Sequence, residues 1–458
     1  MKKEKYIISR KFIGSLLLKT TMMFGVIILA AVTTMFMQSD KTSAAKKKTK
    51  QPQEYVSMSF KKGVLTIKGN GEMGDPIKTT VYENKNVKKV VIKDGVTAIP
   101  DDAFEDCKKL TSVKISSTVK KIGVGAFGNT AIKSITIPKS VKKLGESVFY
   151  GCKNLENVTM PGNIVVIEYI DPDEDEHIPV SFLGYSDITL KKLKFTTALN
   201  LNVLKRIGKS ENFEVAANDP KYKSVDGMIY SKDGKTLIRI PLGRKKVVIP
   251  ENCTTVNVES YGYKMYSMDS TMSEIVFPKT VTKIISDGTS VDLGHYECKD
   301  IKITLNMDYL DNESIQQLWA SNVYWRKSLK DELMRKGLAK LNEENERMLM
   351  LEDGHLCSYL TEDENDINKI EKNETVNGLV IPDNVKTIGS KAFGGYYICS
   401  ITLGSSVERV ESAAFGWLKG GWNDDNSKTY AIIYIKNNNI QLAQDAFNIG
   451  DYVKVIMI

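Results

Sequence analysis

The sequence has 458 residues, a hydrophobic fraction of 42% and a formal net charge of +8 at neutral pH. These values exclude a polytopic membrane protein and a wholly disordered chain, and they allow either several globular domains or one elongated repeat array. Without residues 1–45, 57 basic and 54 acidic side chains remain, a net charge of +3. Nucleic-acid binding needs a concentrated basic surface, so no nucleic-acid partner is expected.

Residues 1–45 have the order of a secretory signal peptide: basic residues, the apolar run 22–37, then the small residues 43–45. As a helix the apolar run would extend about 24 Å, less than the ~30 Å of a bilayer core. Cleavage is therefore favoured over an uncleaved signal anchor, which is the alternative. In both cases we expect the body outside the cell or at its surface, with membrane contact only through this segment.

A unit of 22 or 23 residues then repeats. The same aromatic position recurs at Phe104, Phe127 and Phe149. Within one unit Ile135 and Ile137 flank Thr136, a period-two pattern that points both isoleucines inward and the threonine outward from a strand. One unit has too little apolar surface to fold alone, so stacked neighbours must complete its core. The pattern predicts a solenoid of stacked parallel strands.

The repeat is degraded in the middle of the chain and resumes with Phe393 and Phe415 near the C-terminus. Between them, residues 311–350 show apolar positions at helical spacing among charged ones, and Asp311 or Asn312 is placed to cap a helix start. We expect one or two amphipathic helices that pack on the solenoid. A free helix that binds a partner is the alternative.

The units VTAIPDDAFEDC, from Val96, and VKTIGSKAFGG, from Val385, resemble those of the bacterial BspA-type leucine-rich-repeat family. Residues 218–237 are similar to a hairpin insertion found in such arrays, and residues 63–73 to the segment before the first repeat. The resemblance implies a leucine-rich-repeat solenoid, secreted or displayed on the bacterial surface for adhesion or recognition. It implies no particular ligand.

These features predict eight segments along the chain. They are a signal peptide or anchor (1–45), a basic linker and β-rich N-terminal cap (46–85), leucine-rich repeats (86–168), a degenerate repeat (169–212), a β-hairpin insertion (213–250), degenerate repeats (251–310), an α-helical insertion (311–350), and linker strands with C-terminal repeats (351–458).

Side chains for catalysis are scarce, because the sequence has only three histidines, His177, His295 and His355. His355 and Cys357 could act as base and nucleophile, but no third orienting group is evident. The acidic runs 171–176 and 362–366 are more typical of solvated loops than of calcium sites. No catalytic residue, cofactor or metal is expected.

The expected binding surface consists of outward strand positions and aromatic clusters. The candidate strand positions are Lys114, Thr136 and Thr159. The candidate aromatic residues are Tyr261, Tyr263, Tyr266, Tyr396, Tyr397, Trp417 and Trp422. This mostly uncharged surface suits a protein or glycan on a host or neighbouring cell.

The first functional hypothesis is thus a non-enzymatic binding protein at the bacterial surface. A structural scaffold of the cell envelope is the alternative. An envelope hydrolase with its site in residues 285–375 is the third hypothesis.

If the signal segment is cleaved after Ala45, the extracellular protein should begin at Lys46. Peptide mass spectrometry of the native N-terminus, made separately on medium, envelope and cytosol, checks this expectation. An intact Met1 in the envelope would indicate the anchor, and an intact Met1 confined to the cytosol would contradict export.

Overall fold

The structure is a computed structural model. The chain divides into two compact units, Met1–Gln53 and Glu54–Ile458, and every described residue belongs to the second. The structure describes residues 56–74, 86–167, 181–184, 188–204, 206–257, 272–285, 301–321, 326–360, 374–390, 392–418, 421–422, 428–429, 431–443, 446 and 453–458. The expected signal segment and the lysines just after it lie outside these residues.

Three arrays of stacked parallel strands form the framework, which confirms the predicted solenoid. The first array contains, in chain order, β1 (Val56–Lys61), β2 (Val64–Gly69), β3 (Gly71–Glu72), β4 (Lys89–Ile92), β5 (Val96–Ile99), β6 (Ser112–Lys114), β7 (Lys121–Ile122), β8 (Ser134–Thr136), β9 (Lys143–Gly145), β10 (Asn157–Met160), β11 (Val165–Ile167), β12 (Thr189–Leu190), β13 (Lys192–Phe195), helix α1 (Leu201–Leu204), β14 (Lys209–Ser210) and β15 (Phe213–Glu214).

These strands build two ladders. The first ladder pairs β2, β4 and β6 in parallel and continues in a further sheet through β8, β10, β13 and β15. The second ladder pairs β3, β5, β7, β9 and β11, also in parallel. β1 pairs antiparallel with β2 and so begins the array with a hairpin, and β12 pairs with β14.

A stack of aromatic rings runs through the core of this array. Phe127 lies between Phe104 and Phe149, with ring centroids 5.4 and 5.9 Å apart and interplanar angles of 6° and 11°. All three side chains are fully buried. Near-parallel rings at this spacing add attraction to the apolar area that they remove from water. The repeat period of the sequence is therefore the period of this stack.

Sharp turns of the backbone on both sides of each phenylalanine close the repeat. Left-handed φ values occur two residues before it, at Asp102, Gly125 and Ser147, and two residues after it, at Asp106, Asn129 and Gly151. Glycine, asparagine and aspartate adopt this conformation most readily, which explains their recurrence. At Gly125 a Cβ atom would also lie 2.3 Å from Oδ1 of Asp102 on the preceding repeat.

The second array begins with an antiparallel hairpin and continues with parallel strands. Its strands are β16 (Tyr222–Val225), β17 (Met228–Ser231), β18 (Thr236–Arg239), β19 (Lys246–Val248), β20 (Thr255–Asn257), β21 (Glu274–Phe277), β22 (Lys283–Ile285) and β23 (Lys302–Leu305). β16, β17 and β18 are antiparallel neighbours, β18, β20 and β22 form one parallel ladder, and β19, β21 and β23 form the other.

Two helices follow, α2 (Asn312–Ser321) and α3 (Arg326–Arg335). Oδ1 of Asp311 accepts a hydrogen bond from the Ser314 backbone N–H at 2.7 Å and so caps α2. Leu318 on α2 and Leu329 on α3 are fully buried. α2 packs against β22 and α3 against β23, so that both apolar stripes face the solenoid.

The helices also provide hydrogen-bond acceptors for backbone N–H groups at the edges of the two ladders that they cover. Three backbone N–H groups donate to helix side chains, each at 3.0 Å: Ile284 to Ser314, Ile303 to Ser328 and Leu305 to Glu332. β22 and β23 are the last strands of their sheets, where N–H groups have no further strand to bond. Helix side chains thus take the place of the next strand.

The third array opens with antiparallel strands and a 3-10 turn (Glu352–Gly354) before parallel stacking resumes. Its strands are β24 (Lys340–Leu341), β25 (Met348–Met350), β26 (His355–Tyr359), β27 (Glu374–Val376), β28 (Leu379–Val380), β29 (Thr387–Ile388), β30 (Phe393–Ile398), β31 (Ser400–Leu403), β32 (Arg409–Val410), β33 (Phe415–Leu418), β34 (Gly421–Trp422), β35 (Lys428–Thr429), β36 (Ala431–Ile435), β37 (Gln441–Leu442) and β38 (Val453–Met457).

Here β26, β29, β32 and β37 form one parallel ladder, β28, β31, β36 and β38 another, and β27, β30 and β33 a third. β34 and β35 pair antiparallel. The ring stack returns in this array, with Tyr359, Phe393 and Phe415 at centroid distances of 5.3 Å. In the part of the chain that the structure describes, no helix is both long and apolar enough to cross a membrane.

Replacing Phe127 with alanine should destabilise the first array by about 3–5 kcal/mol, because the substitution leaves a cavity between two rings that cannot close without shifting the strands. Urea unfolding followed by circular dichroism measures the change. Phe60→Ala is the matched control, since Phe60 is 41% exposed. An equal loss of stability in both variants would show that a stacked ring contributes no more than an exposed phenylalanine.

Candidate functional site

The outward positions of the first ladder form two runs of register partners, one in each of its sheets, which we together call the outward row. Thr66, Val91 and Lys114 are register partners on β2, β4 and β6. Thr136, Thr159, Lys194 and Glu214 are register partners on β8, β10, β13 and β15. Ile135 and Ile137 beside Thr136 are buried, while Thr136 is exposed. The structure therefore places the candidates Lys114, Thr136 and Thr159 on one face.

At the charged end of this face each glutamate contacts two lysines. Lys192 and Lys194 both contact the carboxylate of Glu214, and the hydrogen bond from Lys194 is the main cause that lowers the pKa of Glu214. Beside the row, Glu156 accepts from Lys191 at 3.1 Å and from Lys133 at 3.4 Å, and the hydrogen bond from Lys191 chiefly lowers its pKa. Lysine and glutamate thus lie on neighbouring rungs at this end of the face.

Equivalent rows exist in the other arrays. Val248, Val276 and Thr304 are register partners in the second array. Val380, Thr402, Tyr434 and Ile456 are partners in the third, where Val380 is 53% exposed. The sequence reasoning missed Lys194, Glu214, Thr304 and Tyr434 as members of these rows. For Tyr434 the sequence carries no alternation signal, because Ala431–Ile435 is a continuous apolar run that alternates only in its burial.

The aromatic candidates do not form one described cluster. Tyr261, Tyr263 and Tyr266 lie outside the described residues. Tyr396 and Tyr397 belong to β30, and the backbone register pairs Tyr397 with Trp417 on β33. Trp422 belongs to β34, where its backbone partner is Lys428. The register thus brings together two candidates, Tyr397 and Trp417.

His355 and Cys357 lie two residues apart on β26, and both are buried. Burial raises the pKa of the Cys357 thiol. A buried thiol with a raised pKa stays protonated and is a poor nucleophile. Nε2 of His355 lies 3.2 Å from Oε1 of Gln316 on α2. Nε2 of His355 is therefore engaged in a contact with α2, and this geometry does not support a catalytic pair with Cys357.

The amide of Gln316 has a fixed orientation in this contact. Its nitrogen donates to the carbonyl oxygen of Cys357 at 3.1 Å and also to that of Ser390. The amide oxygen must consequently face His355 and accept a hydrogen bond from the Nε2–H group. Gly389 leaves space for the contact, because a Cβ atom there would lie 2.5 Å from both the glutamine oxygen and the histidine nitrogen. α2 is thereby joined to the third array.

The remaining sequence candidates carry no described site. The acidic runs 171–176 and 362–366, His177 and His295 all lie outside the described residues. Within the described residues, no three histidine, cysteine, aspartate or glutamate side chains are grouped to hold a metal ion. Cys107 and Cys152 are buried and free, and burial is the main cause that raises the pKa of each thiol. They serve as small apolar side chains of the core.

Residues 75–170 and 369–448 match the model of the BspA type leucine rich repeat region, in six copies. Together with the stacked strands, this match defines the molecule as a leucine-rich-repeat solenoid. These two stretches of the chain therefore carry BspA-type leucine-rich repeats, and the resemblance noted from the sequence is confirmed. Such repeats build extended surfaces that are used for binding.

Three solved structures are similar to the chain. The pneumococcal vaccine antigen PcpA is 16% identical, with 88% of this chain and 91% of that one covered and a TM-score of 0.34. A leucine-rich repeat protein from Eubacterium ventriosum is 21% identical, with coverages of 85% and 92% and a TM-score of 0.36. A leucine rich cell surface protein from Faecalibacterium prausnitzii is 16% identical, with coverages of 90% and 98% and a TM-score of 0.26. No curated protein matches the sequence.

The contact between His355 and Gln316 predicts a specific loss of stability in acid. Desolvation is the main cause that lowers the pKa of His355, nearby Arg409 lowers it further, and Glu411 opposes them. The unfolded histidine has a pKa of about 6.5, so below that pH the unfolded chain binds a proton that the folded chain does not. The stabilisation is present above this value and is lost as the pH falls towards the folded pKa.

His355→Gln keeps a donor for Gln316 but does not titrate. Between about pH 7.5 and 5.5 the free energy of unfolding of the wild type should fall by about 1 kcal/mol more than that of the variant. Urea unfolding across this pH range, with both proteins in the same buffers, measures the difference. Parallel pH profiles would show that His355 is not the responsible group.

Proposed function

We propose that the protein is a non-enzymatic binding module that acts outside the cell, at the bacterial surface, and recognises a protein or glycan of a host or neighbouring cell. The observation that carries this proposal is the outward row of the first array. Strand after strand, it presents side chains in fixed register on a backbone that is held by the buried ring stack. A preorganised surface loses little conformational entropy when a partner binds.

The chemistry of the row favours a large partner with mixed contacts. Thr136 and Thr159 offer hydroxyl groups, Val91 an apolar side chain and Lys114 a charge. Spread over several rungs at about 4.8 Å each, these groups contact an extended molecule better than a compact one. Proteins and glycans match this mixture, since both combine apolar surface with hydrogen-bonding groups.

The external location is supported by the sequence of residues 1–45 and by the repeat family. The assignment as a binding protein and not a hydrolase is supported at His355 and Cys357, where the thiol has a raised pKa and the imidazole bonds Gln316. An envelope scaffold would use the same solenoid, but its function would not depend on individual outward side chains.

Replacing Thr136 and Thr159 together with arginine should reduce binding to intact target cells by about tenfold or more, because two bulky charges interrupt the centre of the face. Binding of the fluorescently labelled protein to cells, measured by flow cytometry over a concentration series, checks this expectation. The thermal midpoint should not change, since both positions point away from the core.

Thr304→Arg, on the outward row of the second array, is the matched control. It adds the same side chain in a comparable strand position and should leave cell binding unchanged. If the double variant binds cells as the wild type does, the first-array row is not the binding face. Cell-surface retention that survives every outward substitution would favour the scaffold.

A further inference from the structure

The second ladder of the first array carries two adjacent rungs with an unusual charge pattern. β7 and β9 pair in parallel, with Lys121 opposite Lys143. The preceding residues continue the alignment, because the Lys142 backbone N–H donates to the Lys120 carbonyl at 2.8 Å. All four side chains are exposed. We call this set the paired-lysine face: Lys120, Lys121, Lys142 and Lys143.

Like charges directly opposite one another on neighbouring strands destabilise a sheet. The rungs are about 4.8 Å apart, well within the Debye length of about 8 Å at physiological salt. The four ammonium groups therefore repel one another. Within the described part of the chain, no carboxylate forms an ion pair with any of them, and the nearest acidic position on this ladder, Glu72, is two rungs away from Lys121.

Some lysines of the first ladder do contact carboxylates. Glu156 lies between Lys133 and Lys191, and Glu214 contacts Lys192 and Lys194. The four lysines of the paired-lysine face have no such contact within the described residues, so positive potential is concentrated on this face. Such a concentration attracts anions.

The corresponding rungs in the other two arrays lack this pattern. In the second array they carry Lys235 with Thr236, Thr254 with Thr255, and Thr282 with Lys283. In the third they carry Lys386 with Thr387, and Glu408 with Arg409. Threonine, or an acidic residue beside a basic one, thus occupies the positions that correspond to the paired lysines. The repeat geometry therefore does not require lysine there.

We propose that the paired-lysine face binds a linear glycan that carries repeated sulfate or phosphate groups. This site is separate from the outward row, because it lies on the other ladder. Ammonium groups in two neighbouring rungs can contact successive anionic groups of one polymer chain. Val165, which is 61% exposed and follows Lys143 in register on β11, supplies an apolar contact at the edge of the face.

The composition of the face favours a glycan over a nucleic acid. Proteins that hold single strands combine basic residues with aromatic side chains on which bases stack. The exposed positions of the two lysine rungs, and of the flanking rungs at Thr97 and Val165, include no aromatic residue.

The test compares the purified wild type with a variant in which all four lysines of the face are replaced by glutamine. The probes are dextran sulfate, poly(glycerol phosphate), neutral dextran and double-stranded DNA. Affinity is measured by biolayer interferometry at about 0.15 M salt and at higher salt. The wild type should bind at least one charged polymer and not neutral dextran. The fourfold variant should bind it about tenfold more weakly, with a smaller dependence on salt.

A second fourfold variant controls for net charge: Lys153→Gln, Lys279→Gln, Lys302→Gln and Lys386→Gln. These lysines are exposed but dispersed, so their loss should change the affinity by less than about twofold. The thermal midpoint of the face variant should equal or exceed that of the wild type, because repulsion is removed. If that variant does not fold, Lys121→Gln with Lys143→Gln replaces it.

Binding of dextran sulfate alone would assign sulfate groups to the ligand, and binding of poly(glycerol phosphate) alone would assign phosphate. Binding of both polymers would show that the face recognises the density of negative charge and does not distinguish sulfate from phosphate. The proposal is overturned if the wild type binds neither polymer, if both fourfold variants lose affinity equally, or if double-stranded DNA binds more tightly than either polymer.

Discussion

The structure depends on the in-register stacking of one repeat on the next. Each unit contributes a layer of strands and one aromatic ring, and its inner side chains are buried only when the adjacent layers cover them. This dependence fixes the register, because a shift by one residue would turn Ile135 and Ile137 outward. The outer side chains are consequently held in rows that their own chemistry does not determine, and these rows are free to differ between faces.

The outer side chains of the two ladders in the first array differ in how their charges are paired. On one ladder Glu156 and Glu214 each contact two lysines, and hydrogen bonds from these lysines lower the pKa of both carboxyl groups. The other leaves the paired-lysine face without a described acidic partner. A solenoid can tolerate this arrangement because repulsion among four exposed side chains is small beside the burial of the core.

The repeat, the fold class and the family were predictable from the sequence, because the spacing of Phe104, Phe127 and Phe149 reports the stack directly. The row positions of Thr136 and Thr159 followed from alternation within a strand. The continuation of the row to Lys194 and Glu214 was not predictable, since the intervening turns are irregular in length. The contact between His355 and Gln316 joins residues 39 positions apart through a helix, and no local pattern signals it. The paired lysines are evident in the sequence, but only the register shows that they face each other.

The three bonds from Ile284, Ile303 and Leu305 to the side chains of α2 and α3 have a consequence beyond the stability of those helices. An open strand edge is a template on which another chain can add its own strands, and a parallel ladder offers that template at each end. Serine and glutamate side chains of α2 and α3 accept these bonds and cover β22 and β23. The two strand edges are therefore not available for pairing with other chains. This protection allows the protein to keep an extended sheet without growing into fibres.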